Sequence, residues 1–215
     1  MMRPSGRAAI CVLALGACGT TGTEAPPDSP AATVQQPVAP VDTARRAATD
    51  TVRRNSDADV RFMQHMMAHH AQARVMTAMV RQRSTRPEIR LIAERIDVSQ
   101  DDEMRQMRSW LRRNGAEMPA TDAHAGHGEH ATMPGMLTDA ELARLAAARG
   151  AGFDRLFLEY MIRHHEGAVT MVNQLFATPG AAQTSEMYGF ATDVNADQRA
   201  EIARMRALLS TIPRG

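Results

Sequence analysis

The eight histidines of this chain fall in three places: His65, His69 and His70; His124, His127 and His130; His164 and His165. Neutral imidazole is the commonest protein ligand for late transition metals, and such confinement favours metal binding over histidines scattered singly through a core. Methionine surrounds the first group, with Met63, Met66, Met67 and Met76 falling in the fifteen residues from Phe62 to Met76. Thioether sulfur is soft and selects Cu(I) over Zn(II) or Mg(II). Methionine is also good core filler, and that is the expected role of most of the sixteen in the chain.

The middle histidine group is a separate case. His124, His127 and His130 stand among glycines in "HAGHGEH", between Met118 and the pair Met133 and Met136. A tract of this composition can scavenge Cu(II), Ni(II) or Zn(II) without fixed geometry, or can be an ordinary solvated loop; both readings stay open.

The outer two groups belong to a repeat. Asp59, Phe62, Met66, His69, His70, Ala73 and Met76 recur 95 residues later as Asp154, Phe157, Met161, His164, His165, Ala168 and Met171. Ala93, Gln100, Glu103, Met107 and Leu111 return with an offset of 98 as Ala191, Gln198, Glu201, Met205 and Leu209. One departure is His65, whose counterpart is Tyr160, so a site using His65 would be asymmetric.

Strong helical signals must position these residues, and strand signals are nearly absent. Ser56 with Asp59, Thr85 with Glu88 and Thr138 with Glu141 predict helix starts, with Pro87 in the first turn of the second. Asn114-Gly115 closes the second helix, Gly150 and Gly152 end the short third, and a longer helix runs from about Phe153 to Phe176. "TPG" at 178–180 separates it from a last helix reaching about Leu209. Two repeated hairpins pair most simply as an all-α four-helix bundle.

Heptad spacing then places the chemistry. Asp59, Phe62, Met66, His69, Ala73 and Met76 follow a 3-4-3-4-3 seam, which turns His69 into the core and leaves His70 on its flank. Gln100, Glu103, Met107 and Trp110 make a similar seam on the second helix. A buried carboxylate or imidazole is costly unless paired or coordinated. Either this inward polar layer bonds to itself and fixes helix register, or some of its members hold a metal or a substrate.

The duplicated pattern D-x2-F-x3-M-x2-H-H-x2-A-x2-M, each copy followed by Q-x2-E and a later methionine, resembles the bacterial family called domain of unknown function 305 over about residues 55–210. The resemblance implies a ferritin-like four-helix bundle, often secreted or lipid-anchored, and some members resemble periplasmic copper-binding proteins tied to copper tolerance. Carried onto this chain, it implies metal ligands at Met66, His69, His70, Met161, His164 and His165, with copper as the metal. Asp59, Glu103, Asp154 and Glu201 are then expected to orient the imidazole rings as partners behind them.

Enzyme readings find less support. The chain has no lysine, which excludes a P-loop lysine or a Schiff base, and no G-x-S-x-G. His165-Glu166 begins like a zinc-protease motif, but Val169 stands where its second histidine belongs. A di-iron bundle needs inward Glu-x-x-His pairs, and the residues three before His69, His70, His164 and His165 are Met66, Met67, Met161 and Ile162. Methionine in place of glutamate shifts ligation from hard to soft.

The N-terminal sequence sets the expected location. Two arginines, an apolar run from Ala8 to Leu15 and Leu15-Gly16-Ala17-Cys18 read as a lipoprotein signal at 1–17 with lipidation of Cys18. Its removal takes Arg3, Arg7 and Cys11, moves the formal charge from +1 to −1, and leaves no pair of cysteines for a disulfide. A near-neutral chain is not built to grip nucleic acid. Residues 18–54, rich in Pro, Thr and Ala, read as a disordered tether, and 55–212 as the domain: repeat 1 at 55–114, a His/Met-rich connection at 115–137 and repeat 2 at 138–212. The expectation is an exported copper binder in the cell envelope, facing the periplasm or outer surface and touching the membrane only through its lipid. The alternatives are a structural or interaction lipoprotein and, more remotely, a metal-dependent redox enzyme.

Overall fold

The computed structural model describes residues 41–119 and 133–213, with side chains from Asp57 onward. The expected signal peptide, Cys18, the tether up to Pro40, and His124, His127 and His130 lie outside the described residues. Among the described residues five helices form: α1 (Val41–Arg83), α2 (Pro87–Arg113), α3 (Asp139–Ala147), α4 (Gly150–Ala177) and α5 (Ser185–Leu209). Among the described residues there is no strand, and no helix is long and apolar enough to cross a membrane.

The helix starts follow local chemistry, and two differ from expectation. α1 does not open at Ser56; it is already helical from Val41, inside the stretch read as tether. The tether composition ends at Pro40, and the following "VDTARRAATDTVRRN" contains neither Pro nor Gly to stop a helix. Thr85 does not cap α2 either: Arg86 is the N-cap, in an extended conformation and without a side-chain bond. Pro87 at the first helical position disfavours α geometry in the residue before it, which fixes the boundary at Arg86. The Thr138–Glu141 capping box at α3 does form, with both reciprocal bonds present.

The four long helices pack α1 on α2, α4 on α5, α1 on α4 and, less extensively, α2 on α5. The apolar core has two parts. One gathers Phe62, Met66, Met107, Trp110, Met171 and Phe190. The other gathers Met76, Ile89, Ile96, Phe157, Met161 and Met205. The duplicated motif accounts for this division: each copy sends its first half into one part and its second half into the other, and the histidines fall between.

Asp59 and Asp154, which open the two motif copies, do not reach the imidazole rings. Asp59 Oδ1 accepts a hydrogen bond from the backbone N–H of Ala182 at 2.9 Å. Ala182 has φ +54, a left-handed conformation that a side chain rarely adopts, and the bond holds it in the α4–α5 turn. Asp154 Oδ2 lies 3.6 Å from Arg86 Nε, at the α1–α2 turn. Each aspartate therefore ties its helix to the turn of the opposite hairpin. Burial raises the Asp59 carboxyl above its ordinary pKa, and the Ala182 N–H opposes that shift.

A candidate metal centre in the buried histidine layer

Between the two apolar parts lies a polar layer with all four motif histidines fully buried. His70 is as buried as His69 and not on a flank, because α1 packs on α2 and α4 at once and so buries two adjacent faces. His70 Nε2 meets Glu103 Oε2 of α2 at 2.5 Å, and His165 Nε2 meets Glu201 Oε2 of α5 at 2.6 Å. These two pairs are related by the repeat. An Nε2–H that donates to a carboxylate leaves Nδ1 with the lone pair, the orientation in which carboxylate-backed histidines bind metals.

The central pair is different. The His69 and His164 rings lie 3.7 Å apart between centroids, inclined by 33°, so the two motif copies meet in one layer. His69 Nε2 donates to the Pro134 carbonyl at 3.1 Å. Among the described residues no hydrogen bond of ordinary geometry reaches either ring nitrogen of His164, although the His69 backbone lies near enough to act on the ring. Burial lowers His69 to about 3, helped by His70 and His165 and opposed by the Pro134 carbonyl. Burial also holds His164 well below its ordinary value, with His69, His165 and His70 adding to the effect and only the His69 backbone opposing it. Both rings are neutral near pH 7, as ligation requires.

The layer does not close its own hydrogen bonds. Among the described residues, five buried ring nitrogens on His69, His70, His164 and His165 have no hydrogen-bond partner, and neither amide atom of Gln100 or Gln198 has one. An unsatisfied buried polar group costs about 1–3 kcal/mol. A layer that served only to fix register would pair these atoms internally. Met66 and Met161, each one helical turn before its histidine pair, are fully buried. The donor set is thus neutral imidazole with thioether close by in each helix, which fits a soft, late transition metal. Among the described residues no three His, Cys, Asp or Glu side chains are grouped to hold a metal, so the four imidazoles and their carboxylates are not preassembled as a chelating site, and ligation would require the rings to shift.

A short segment covers the central pair, and its fastening was not foreseen. Gln72 grips it through two bonds, its amide nitrogen donating to Leu137 O at 2.9 Å and its oxygen accepting from Leu137 N at 2.8 Å. The repeat partner of Gln72 is Gly167, and a Cβ there would lie 2.0 Å from Pro134 O. Gly135, at φ +77, packs against α4 at the backbone of Arg163 and His164. Beyond it, Glu141 of the α3 capping box pairs with Arg163 at 2.6 Å, and Arg163 stacks over Tyr160 at 5.2 Å. That pairing, more than any other contact, holds the Glu141 carboxyl down to about 2. The available signal was the Gln72/Gly167 mismatch in an otherwise close repeat, together with a glycine inside a helix.

These features define an all-helical protein of two repeated hairpins whose histidine motifs meet in one buried layer. The chain belongs to the family described as Domain of unknown function (DUF305), which it matches over residues 59–209. It is similar to a DUF305 fragment from Deinococcus radiodurans, with 36% identity, TM-score 0.62, and coverage of 71% of this chain and 95% of that one. A putative secreted DUF305 protein from Streptomyces coelicolor is 30% identical, with TM-score 0.61 and coverage of 71% and 92%. CopM in its Cu(II)-bound form is 28% identical, with TM-score 0.58 and coverage of 71% and 95%. CopM also has Cu(I)-bound and Ag-bound structures. No curated protein matches the chain.

Proposed function

We propose that this protein is an exported, lipid-anchored copper-binding protein that buffers copper in the cell envelope. The observation that carries the reading is the set of unpartnered ring nitrogens on four fully buried histidines. His69 and His164 are the expected core of the site. His70 and His165, backed by Glu103 and Glu201, supply further Nδ1 donors, and Met66 and Met161 supply thioethers. The similarity to CopM, which binds Cu(I), Cu(II) and Ag, supports a soft metal. The Leu15-Gly16-Ala17-Cys18 pattern supports export and anchoring. The opposite nitrogens of two of the histidine rings give the layer a structural share, because the His70–Glu103 and His165–Glu201 pairs join α1 to α2 and α4 to α5. The chemistry is that of binding and not of turnover.

An anaerobic competition titration of the intact protein against a chromogenic Cu(I) chelator tests this directly. At least one equivalent of Cu(I) is expected to be withheld from the chelator. A protein that never competes would overturn the reading.

A further inference from the structure

A second group of soft donors lies outside the histidine layer. A cavity of about 240 Å³ opens where α1, the last residues of the connection and α4 meet. Its walls carry His65 from α1, Met133 from the connecting segment and Met171 from α4, with Pro134 beside them. Met133 and Met171 are buried, whereas Arg61, Gln174 and Thr178 at the rim are exposed. Among the described residues no carboxylate lines the cavity. One imidazole and two thioethers are soft donors that match a monovalent soft ion better than Zn(II) or Mg(II). The Arg61 charge points the same way, since its repulsion is twice as large for a divalent ion.

The place of the cavity adds to the argument. His65 is the residue by which the first motif copy departs from the second, where Tyr160 stands. Met133 lies in the connection and has no counterpart in a repeat at all. The cavity is therefore a feature of one side only, in contrast to the two-sided histidine layer. Pro134 lines it while its carbonyl accepts from His69, so a single residue stands between the cavity and the central histidine pair.

We propose that His65, Met133 and Met171 form an outer site for a monovalent soft metal ion, Cu(I) or Ag(I), at the threshold of the histidine layer. The inference rests on the reading of the protein as a copper binder, but it concerns different residues and can fail separately.

The test uses intact protein labelled with 13C at the methionine methyls and titrated with Ag(I) in chloride-free buffer. The Met133 and Met171 resonances are identified by their loss in M133L and M171L. Both are expected to move together within the first two equivalents. In H65Y, which installs the residue of the second copy, the same movement should need about tenfold more silver, the lower end of what loss of a metal-site partner costs. If Met133 and Met171 stay still while Met66 and Met161 move, the outer site is overturned and the copper reading stands. A response of H65Y identical to that of the parent protein also overturns the three-donor site. If no methionine moves and no silver is retained, both readings fall.

Discussion

Replacing His69 and His164 together by leucine should weaken Cu(I) binding at the histidine layer by about 100-fold or more, while the metal-free fold keeps its stability to within about 1 kcal/mol. The two effects separate for a physical reason. The three unpartnered ring nitrogens of this pair are a standing cost in the metal-free protein, and apolar groups of similar size remove it. The one bond lost is that from His69 to the Pro134 carbonyl. His70→Ala should behave in the opposite way, because it leaves the buried Glu103 carboxylate without its partner and so costs about 3–5 kcal/mol. Urea denaturation followed by circular dichroism, alongside the chelator competition, measures both. If the double leucine variant loses several kcal/mol and binds copper as before, the layer is a register device.

The metal-free protein should lose stability steeply as the solution is acidified below pH 6.5. His69, held to about 3, and His164, held well below 6.5, stay neutral in the folded state, whereas both take up protons once the chain unfolds. The unfolded state therefore binds more protons in this interval, and stability rises with pH and falls with acid. Each histidine contributes at most about 1.4 kcal/mol per pH unit, so the pair costs up to roughly 4 kcal/mol at pH 5, a large share of a domain's stability. Asp59 and Asp197, whose carboxyls burial holds up, act in the other sense and reduce the slope. Below about pH 4.5 the loss should steepen again, because the unfolded chain protonates Glu141 there while the folded state, pairing it with Arg163, keeps it ionised down to about pH 2. A denaturation midpoint unchanged from pH 7 to pH 5 would contradict this account of the layer.

The all-helical fold and the two-hairpin plan were legible because seven motif positions repeat in register, and periodicity reports directly which face of a helix is buried. The inward direction of His69 followed from the same spacing. The burial of His70 did not, since a single seam describes contact with one neighbour, and α1 has two. The aspartates were placed with the rings because they share the seam. They bond instead to turns, where Ala182 presents an N–H that no heptad pattern contains. The cover over the site was out of reach for a similar reason. Pro134 and Gly135 are irregular backbone, and only their neighbours Gln72 and Gly167, unlike each other at matching positions, carry a trace of them in the repeat. The start of α1 was hidden by composition, since alanine, threonine and arginine suit a tether or a helix according to whether proline interrupts them.

The claim on which the account depends is that copper enters the buried layer and not the histidine-rich connection. Long-range 1H–15N spectra of the histidine side chains, recorded on intact protein before and after one equivalent of Cu(I), separate the two. The Nδ1 resonances of His69 and His164 are expected to move on loading, with those of His70 and His165 following. Movement confined to His124, His127 and His130, with the four buried rings unchanged, would contradict it.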